Sequence, residues 1–201
     1  MEAGKTQDAL RKGKRTVWVY SIIMIALCIA DGVLTYLGTP DLALEGNPLV
    51  KYLGLGWGTL FSVNVAFLIL YVLSLRYTFV KYQSPVIAAK NFTQYDCMLY
   101  FNEPGKFSWL LYKMPKNWKP VGAAWGYVMG PAFIIARLIL VLGWTMYLTN
   151  SQMYASYQKL RAGLWSGRLD LWVAMVVAMI LLVVWHVKEY KANQKAARVT
   201  G

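Results

Sequence analysis

Four stretches of this chain stay apolar for long enough to cross a lipid bilayer: Val17 to Gly38, Trp57 to about Val80, Trp125 to Thr149, and Asp170 to about Tyr190. A helix rises about 1.5 Å per residue, so roughly 20 residues cover the hydrocarbon layer. Inside that layer no water is available to backbone N–H and C=O groups, and only helices or closed barrels satisfy them. Each run is therefore read as a transmembrane helix. Composition agrees: of 201 residues, 58% are hydrophobic and 15% charged, whereas an ordinary soluble domain is about 45–50% apolar. The sequence predicts an all-α integral membrane helical bundle with one four-span domain over residues 17–190, flanked by basic segments at 1–16 and 191–201. The first run is longer than the core of a signal peptide and lacks a small-residue cleavage site, so it reads as a retained span.

The net charge of +12 is placed in the loops and at the termini rather than in one patch. Five Lys and Arg precede the first span, one lies between spans one and two, seven run from Arg76 to Lys119, three lie between spans three and four, and four follow the last. Basic residues accumulate on the cytoplasmic side of membrane proteins. With both termini inside, sixteen fall in the cytoplasm and four outside, which predicts cytoplasmic termini, a cytoplasmic loop at 81–124 and external loops at 39–56 and 150–169. Trp18, Trp57, Trp125, Trp165, Trp172 and Trp185 fall near span ends, where indole rings anchor at the interface. No nucleic-acid motif accompanies the charge, and nucleic acid is not an expected partner. The sequon Asn91-Phe92-Thr93 falls on the cytoplasmic side, where it is not glycosylated.

The long inner loop mixes its bases with Phe92, Tyr95, Tyr100, Phe101, Phe107, Trp109, Tyr112 and Trp118. Rings beside cations suit a membrane interface, so the loop is expected to lie on the inner leaflet or to serve as a platform for a partner protein. On the outer side, Met153, Tyr157, Leu160 and Leu164 recur at helical spacing, which predicts an interfacial helix ending near Gly163 or Gly167. Gly126 and Gly130, beside Pro131, form a small-xxx-small pair suited to close helix contact, within the chain or between copies. Cys28 lies in a span and Cys97 in the long loop, so a disulfide is not expected.

Polar residues inside the spans carry the functional reading, because charge in a membrane is costly. Asp31 lies about 14 residues into span one, roughly 21 Å from the inner end. Cys28, Asp31 and Thr35 follow at spacings of three and four, which places them on one helix face. Asn64 in span two and Arg137 in span three fall at similar depth, so an Asp31–Arg137 ion pair with Asn64 beside it is geometrically allowed. Such a cluster is a buried pair that sets helix register, or an ion, proton or ligand site, unless Arg137 instead faces lipid and snorkels to the interface.

The external turn reads Thr39-Pro40-Asp41-Leu42-Ala43-Leu44-Glu45-Gly46-Asn47-Pro48. Asn47 followed by Pro48 is a good helix start, with Gly54 as a stop. The cap does not use Glu45, so Glu45 and Asp31, with Asp41 and Thr35 near, form a candidate oxygen-rich site for a divalent cation such as magnesium or calcium. His186, three residues before Glu189, reads as a polar helix terminus.

Asp31-x-x-x-Thr35 followed by Glu45-x-Asn47-Pro48 resembles an uncharacterised family of small bacterial and archaeal multi-pass membrane proteins, described as a domain of unknown function. The resemblance covers roughly residues 17–80. It implies that Asp31, Thr35, Glu45, Asn47 and Pro48 act together and that the chain resides in a prokaryotic cytoplasmic membrane; it implies no activity. Phosphate-loop, HExxH and GxSxG motifs are missing, which argues against the familiar hydrolases and ATPases. The leading expectation is a membrane binding or accessory protein, in contact with lipids and with a membrane-protein partner or a second copy. The alternative is a membrane enzyme, or an ion- or lipid-binding protein, using Asp31 and Glu45 at the outer face.

Overall fold

The computed structural model of the protein describes residues 2–44, 53–54, 56–164 and 167–200. Glu45, Asn47 and Pro48, with the cap expected at Asn47, lie outside the described residues, as does Trp165. The elements are helical: α1 (Glu2–Gly38), α2 (Trp57–Arg76) passing into a π-helical turn at Tyr77–Lys81, α3 (Phe92–Phe101), α4 (Trp109–Tyr112), α5 (Trp118–Leu148), α6 (Gln152–Ala162) and α7 (Leu169–Thr200). Among the described residues there is no strand, and the fold is all-α.

Among the described residues, four helices are long and apolar enough to cross a membrane, within Gln7–Gly38, Trp57–Lys81, Trp118–Leu148 and Leu169–Arg198. Between 11% and 28% of the most apolar window of each is buried inside the protein. The rest is partly or fully exposed, with Ile22, Ile29, Phe61, Leu70, Ile180 and Val183 among the exposed residues. Such a surface is unfavourable in water and neutral in hydrocarbon.

The helices run beyond their apolar segments because nothing local stops them. Residues 186–200 include three Ala and three Lys, which favour helix. Pro120 sits in the first turn of α5, where N–H groups lack intrahelical partners in any case. Pro131 lies inside α5 and removes one ladder bond, yet the helix continues.

The chain groups into two compact units, one of residues 1–15, 74–129 and 178–201, the other of residues 16–73 and 130–177. In the first, α3 supplies the core: Tyr95, Cys97, Leu99 and Phe101 are buried and pack with Ala123, Ala124 and Trp185. α3 starts at Asn91, whose side chain accepts a bond from the Gln94 backbone N–H at 2.9 Å, and ends at Asn102 in a left-handed conformation. The expected leaflet loop thus divides. Tyr95, Tyr100 and Phe101 are interior, whereas Phe107, Tyr112 and Trp118 are exposed.

Polar clamps hold this unit. Asn193 accepts from the Ile87 N–H at 2.7 Å and donates to the Ile87 carbonyl at 2.8 Å. His186 Nδ1 lies 2.8 Å from the Leu182 carbonyl and must donate to it, so Nε2 accepts from the Tyr100 hydroxyl, also at 2.8 Å. Both ring nitrogens are engaged, Nδ1 within α7 and Nε2 across to α3. Gly126 contacts α2 within the chain: a Cβ there would lie 2.2 Å from Thr78 Oγ1 and 2.6 Å from the Ser74 carbonyl oxygen.

Candidate functional site

The second unit contains the polar residues singled out in the spans. α1 brings Asp31, α2 Asn64 and α5 Arg137, and the three side chains meet. Arg137 Nη1 donates to Asp31 Oδ2 and Nη2 to Asn64 Oδ1. The Asn64 amide is oriented from behind, since its Nδ2 donates to the Leu60 carbonyl one turn earlier at 2.9 Å. That leaves only the amide oxygen to face the guanidinium. The Arg137 guanidinium also lies 6.0 Å from the centre of the Phe67 ring, which packs edge-on against Phe133. Fork-shaped donation from one planar cation to two acceptors on two other helices ties all three together.

The network is not sealed. Side-chain exposure is 20% for Arg137 and 15% for Asp31, and both line a cavity of about 720 Å³. Its walls are mainly apolar, with Ile25, Leu60, Phe61 and Leu140 among them. The volume falls within the range of about 300–1,000 Å³ typical of small-ligand pockets. Cys28 and Thr35 line the same cavity, so the stripe read from the helix spacing borders one space.

Charges that the sequence reading assigned only to loops and boundaries also belong here. Arg161 and Arg168 line the cavity together with Asp170. Asp170 holds Arg168 through two bonds, 3.0 Å from Nε and 2.8 Å from Nη2. The Arg-x-Asp spacing at the start of an apolar run was the available signal, but depth counting treats such residues as flanks. Among the described residues of the wall, three arginines and two aspartates leave one positive charge in excess.

Asp41 is committed elsewhere. Its Oδ1 accepts from the Thr39 hydroxyl at 2.9 Å and the Ala43 N–H at 3.1 Å, and these bonds hold its carboxyl below the usual range. It closes its own turn rather than joining Asp31. Among the described residues, no three His, Cys, Asp or Glu side chains gather as a metal site, and Glu45, the other ligand expected, lies outside them.

A second, smaller cavity of about 260 Å³ adjoins the first, sharing Leu44, Leu140, Trp144 and Arg161 as walls. Tyr147, Tyr154, Tyr157 and Gln158 complete it. These rings form a chain, with centroids 5.8 Å apart for Trp144 and Tyr147, 5.4 Å for Tyr147 and Tyr154, and 6.2 Å for Tyr154 and Tyr157. Helix α6 runs from a Ser151 cap to Gly163, as its apolar spacing predicts. It carries Tyr157 against Gly143, where a Cβ would lie 2.7 Å from the Tyr157 hydroxyl.

No protein-family model, characterised protein or solved structure matches this chain.

Proposed function

We propose that this protein is a small integral membrane protein that binds an amphipathic ligand, a membrane lipid, in the cavity around Asp31, Asn64 and Arg137. One observation carries the reading: a cavity of about 720 Å³ with apolar walls is bordered on one side by a fixed ion-pair network and two further arginines. A purely structural ion pair needs no such space beside it. Apolar walls accept acyl or prenyl chains, and the excess positive charge favours an anionic head. The distribution of basic residues supports cytoplasmic termini with this cavity toward the outer leaflet, and the resemblance supports a prokaryotic cytoplasmic membrane. The kinship suggested by Asp31 and Thr35 is consistent with their sharing the cavity.

The test is native mass spectrometry of protein purified in mild detergent, comparing wild type with Asp31→Asn and Arg137→Gln. The expected result is about one lipid per chain in wild type and loss of it in folded Arg137→Gln. A thiol-reactive lipid should label Cys28 in a Cys97→Ser background, because Cys28 borders the cavity and Cys97 does not. Folded wild type with no retained lipid and no Cys28 labelling overturns the proposal. Recovery of a stoichiometric protein that is lost in Asp31→Asn supports instead an accessory subunit whose partner fills the space.

A further inference from the structure

The two adjoining cavities specify what kind of lipid the site takes, an inference that rests on the reading above. A single amphiphile with an apolar tail needs only the larger one. The smaller one differs in chemistry: Trp144, Tyr147, Tyr154 and Tyr157 surround it, with Gln158 and Arg161 supplying polar groups. Arg161 is also a wall of the larger cavity, so this side chain borders both spaces. It is fixed there, since Nε donates to the Gly167 carbonyl at 2.9 Å and the guanidinium lies 5.6 Å from the centre of the Tyr157 ring. A positioned arginine between an apolar and an aromatic-polar space matches a phosphate linking a tail to a head.

The head must be compatible with its walls. An aromatic enclosure can hold a quaternary ammonium, but among the described residues Arg161 is the one charged wall residue of the small cavity and is itself a cation. Its Coulomb repulsion disfavours a second positive charge at contact distance. A hydroxylated head has no such conflict: its C–H faces pack on Tyr and Trp rings while its hydroxyls exchange hydrogen bonds with phenols and the Gln158 amide. Gln158 already donates to the Tyr154 hydroxyl, which orients both groups.

We propose that the two cavities form a single site for a phosphodiester lipid with a hydroxylated head, a glycerol, inositol or sugar, whose tail lies beside Asp31 and Arg137, whose phosphate meets Arg161, and whose head occupies the Trp144–Tyr147–Tyr154–Tyr157 enclosure.

The experiment is lipid binding by native mass spectrometry on the full-length protein, delipidated in detergent, with diacylglycerol, phosphatidylcholine, phosphatidylglycerol and phosphatidylinositol as probes. Phosphatidylglycerol and phosphatidylinositol should bind about tenfold more tightly than phosphatidylcholine and diacylglycerol, the order expected of one charge-assisted contact plus a matched head. Arg161→Gln should remove that preference, so that the four probes bind with similar affinity, and Tyr154→Leu should narrow the gap between phosphatidylglycerol and phosphatidylcholine. Circular dichroism confirms that each variant is folded. If all four probes bind equally, or if folded Arg161→Gln keeps the wild-type preference, this inference fails and lipid binding itself stands. If none of the four binds to folded wild type, both fail. Competition by glycerol 3-phosphate alone, at equal potency, would show that a soluble phosphate is recognised and would overturn the lipid assignment.

Discussion

Replacing Arg137 with methionine keeps an unbranched apolar stem and removes the guanidinium with its charge and its donors. Asp31 then remains 15% exposed with its cation gone, and the Asn64 oxygen loses its donor. Stranding one partner of a buried ion pair costs about 3–5 kcal/mol, and the open cavity beside this one, which lets water reach the carboxylate, argues for the lower end, about 3 kcal/mol. Asp31→Asn retains an acceptor for Arg137 and should cost less, about 1–2 kcal/mol. The decisive variant combines Asp31→Leu with Arg137→Met. It leaves no stranded charge, so it should recover to within about 1 kcal/mol of wild type, giving a coupling of about 2 kcal/mol or more between the two positions. The assay is reversible unfolding in mixed micelles, titrating a denaturing detergent into a mild one and following tryptophan fluorescence and helicity together. If Arg137→Met alone unfolds within about 0.5 kcal/mol of wild type, or if the double variant equals the sum of the single ones, the network does not couple the three helices and the reasoning is refuted.

Three further outcomes are expected. Asp96 is buried, its Oδ1 finds no hydrogen-bond partner, and burial pushes its carboxyl from 3.8 up to about 7. Because its folded pKa is raised, its contribution is complete below about pH 4 and is lost as pH rises toward 7, a fall on the order of 4 kcal/mol; Asp96→Asn should flatten that part of the stability–pH profile, and an unchanged slope would refute the assignment. Tyr100→Phe should destabilise the protein by about 1–3 kcal/mol in the same unfolding assay, because His186 Nε2 loses its donor in a buried setting. Gly126→Val should destabilise by about 1–3 kcal/mol or more, because a Cβ already meets backbone at the Ser74 carbonyl, whereas Gly32→Ala, which meets nothing within 4 Å, should be nearly neutral.

The order of helices was legible in the sequence because the bilayer imposes it: twenty consecutive apolar residues have few other stable fates, and Pro131 does not alter that. The α6 helix was equally legible, since its apolar spacing and Gly163 are local signals. Depth counting also sufficed to bring Asp31, Asn64 and Arg137 to one level, because helical rise is constant. Rotation about each helix axis was not readable, and it decides whether residues at one level face one another or lipid. Only the tertiary structure shows that Arg137 reaches both acceptors, that a cavity lies beside them, and that Arg161, Arg168 and Asp170 share its wall. The loop of residues 81–124 shows the same limit. Its rings and lysines have the composition of an interfacial segment, and composition does not distinguish a tyrosine on a membrane surface from one in a core. α3 buries Tyr95 and Phe101 because Ala123, Ala124 and Trp185, distant in the chain, provide the opposing surface. What sequence determines here is set by the solvent, which acts on each segment alone; what structure decides is set by the neighbours each segment finds.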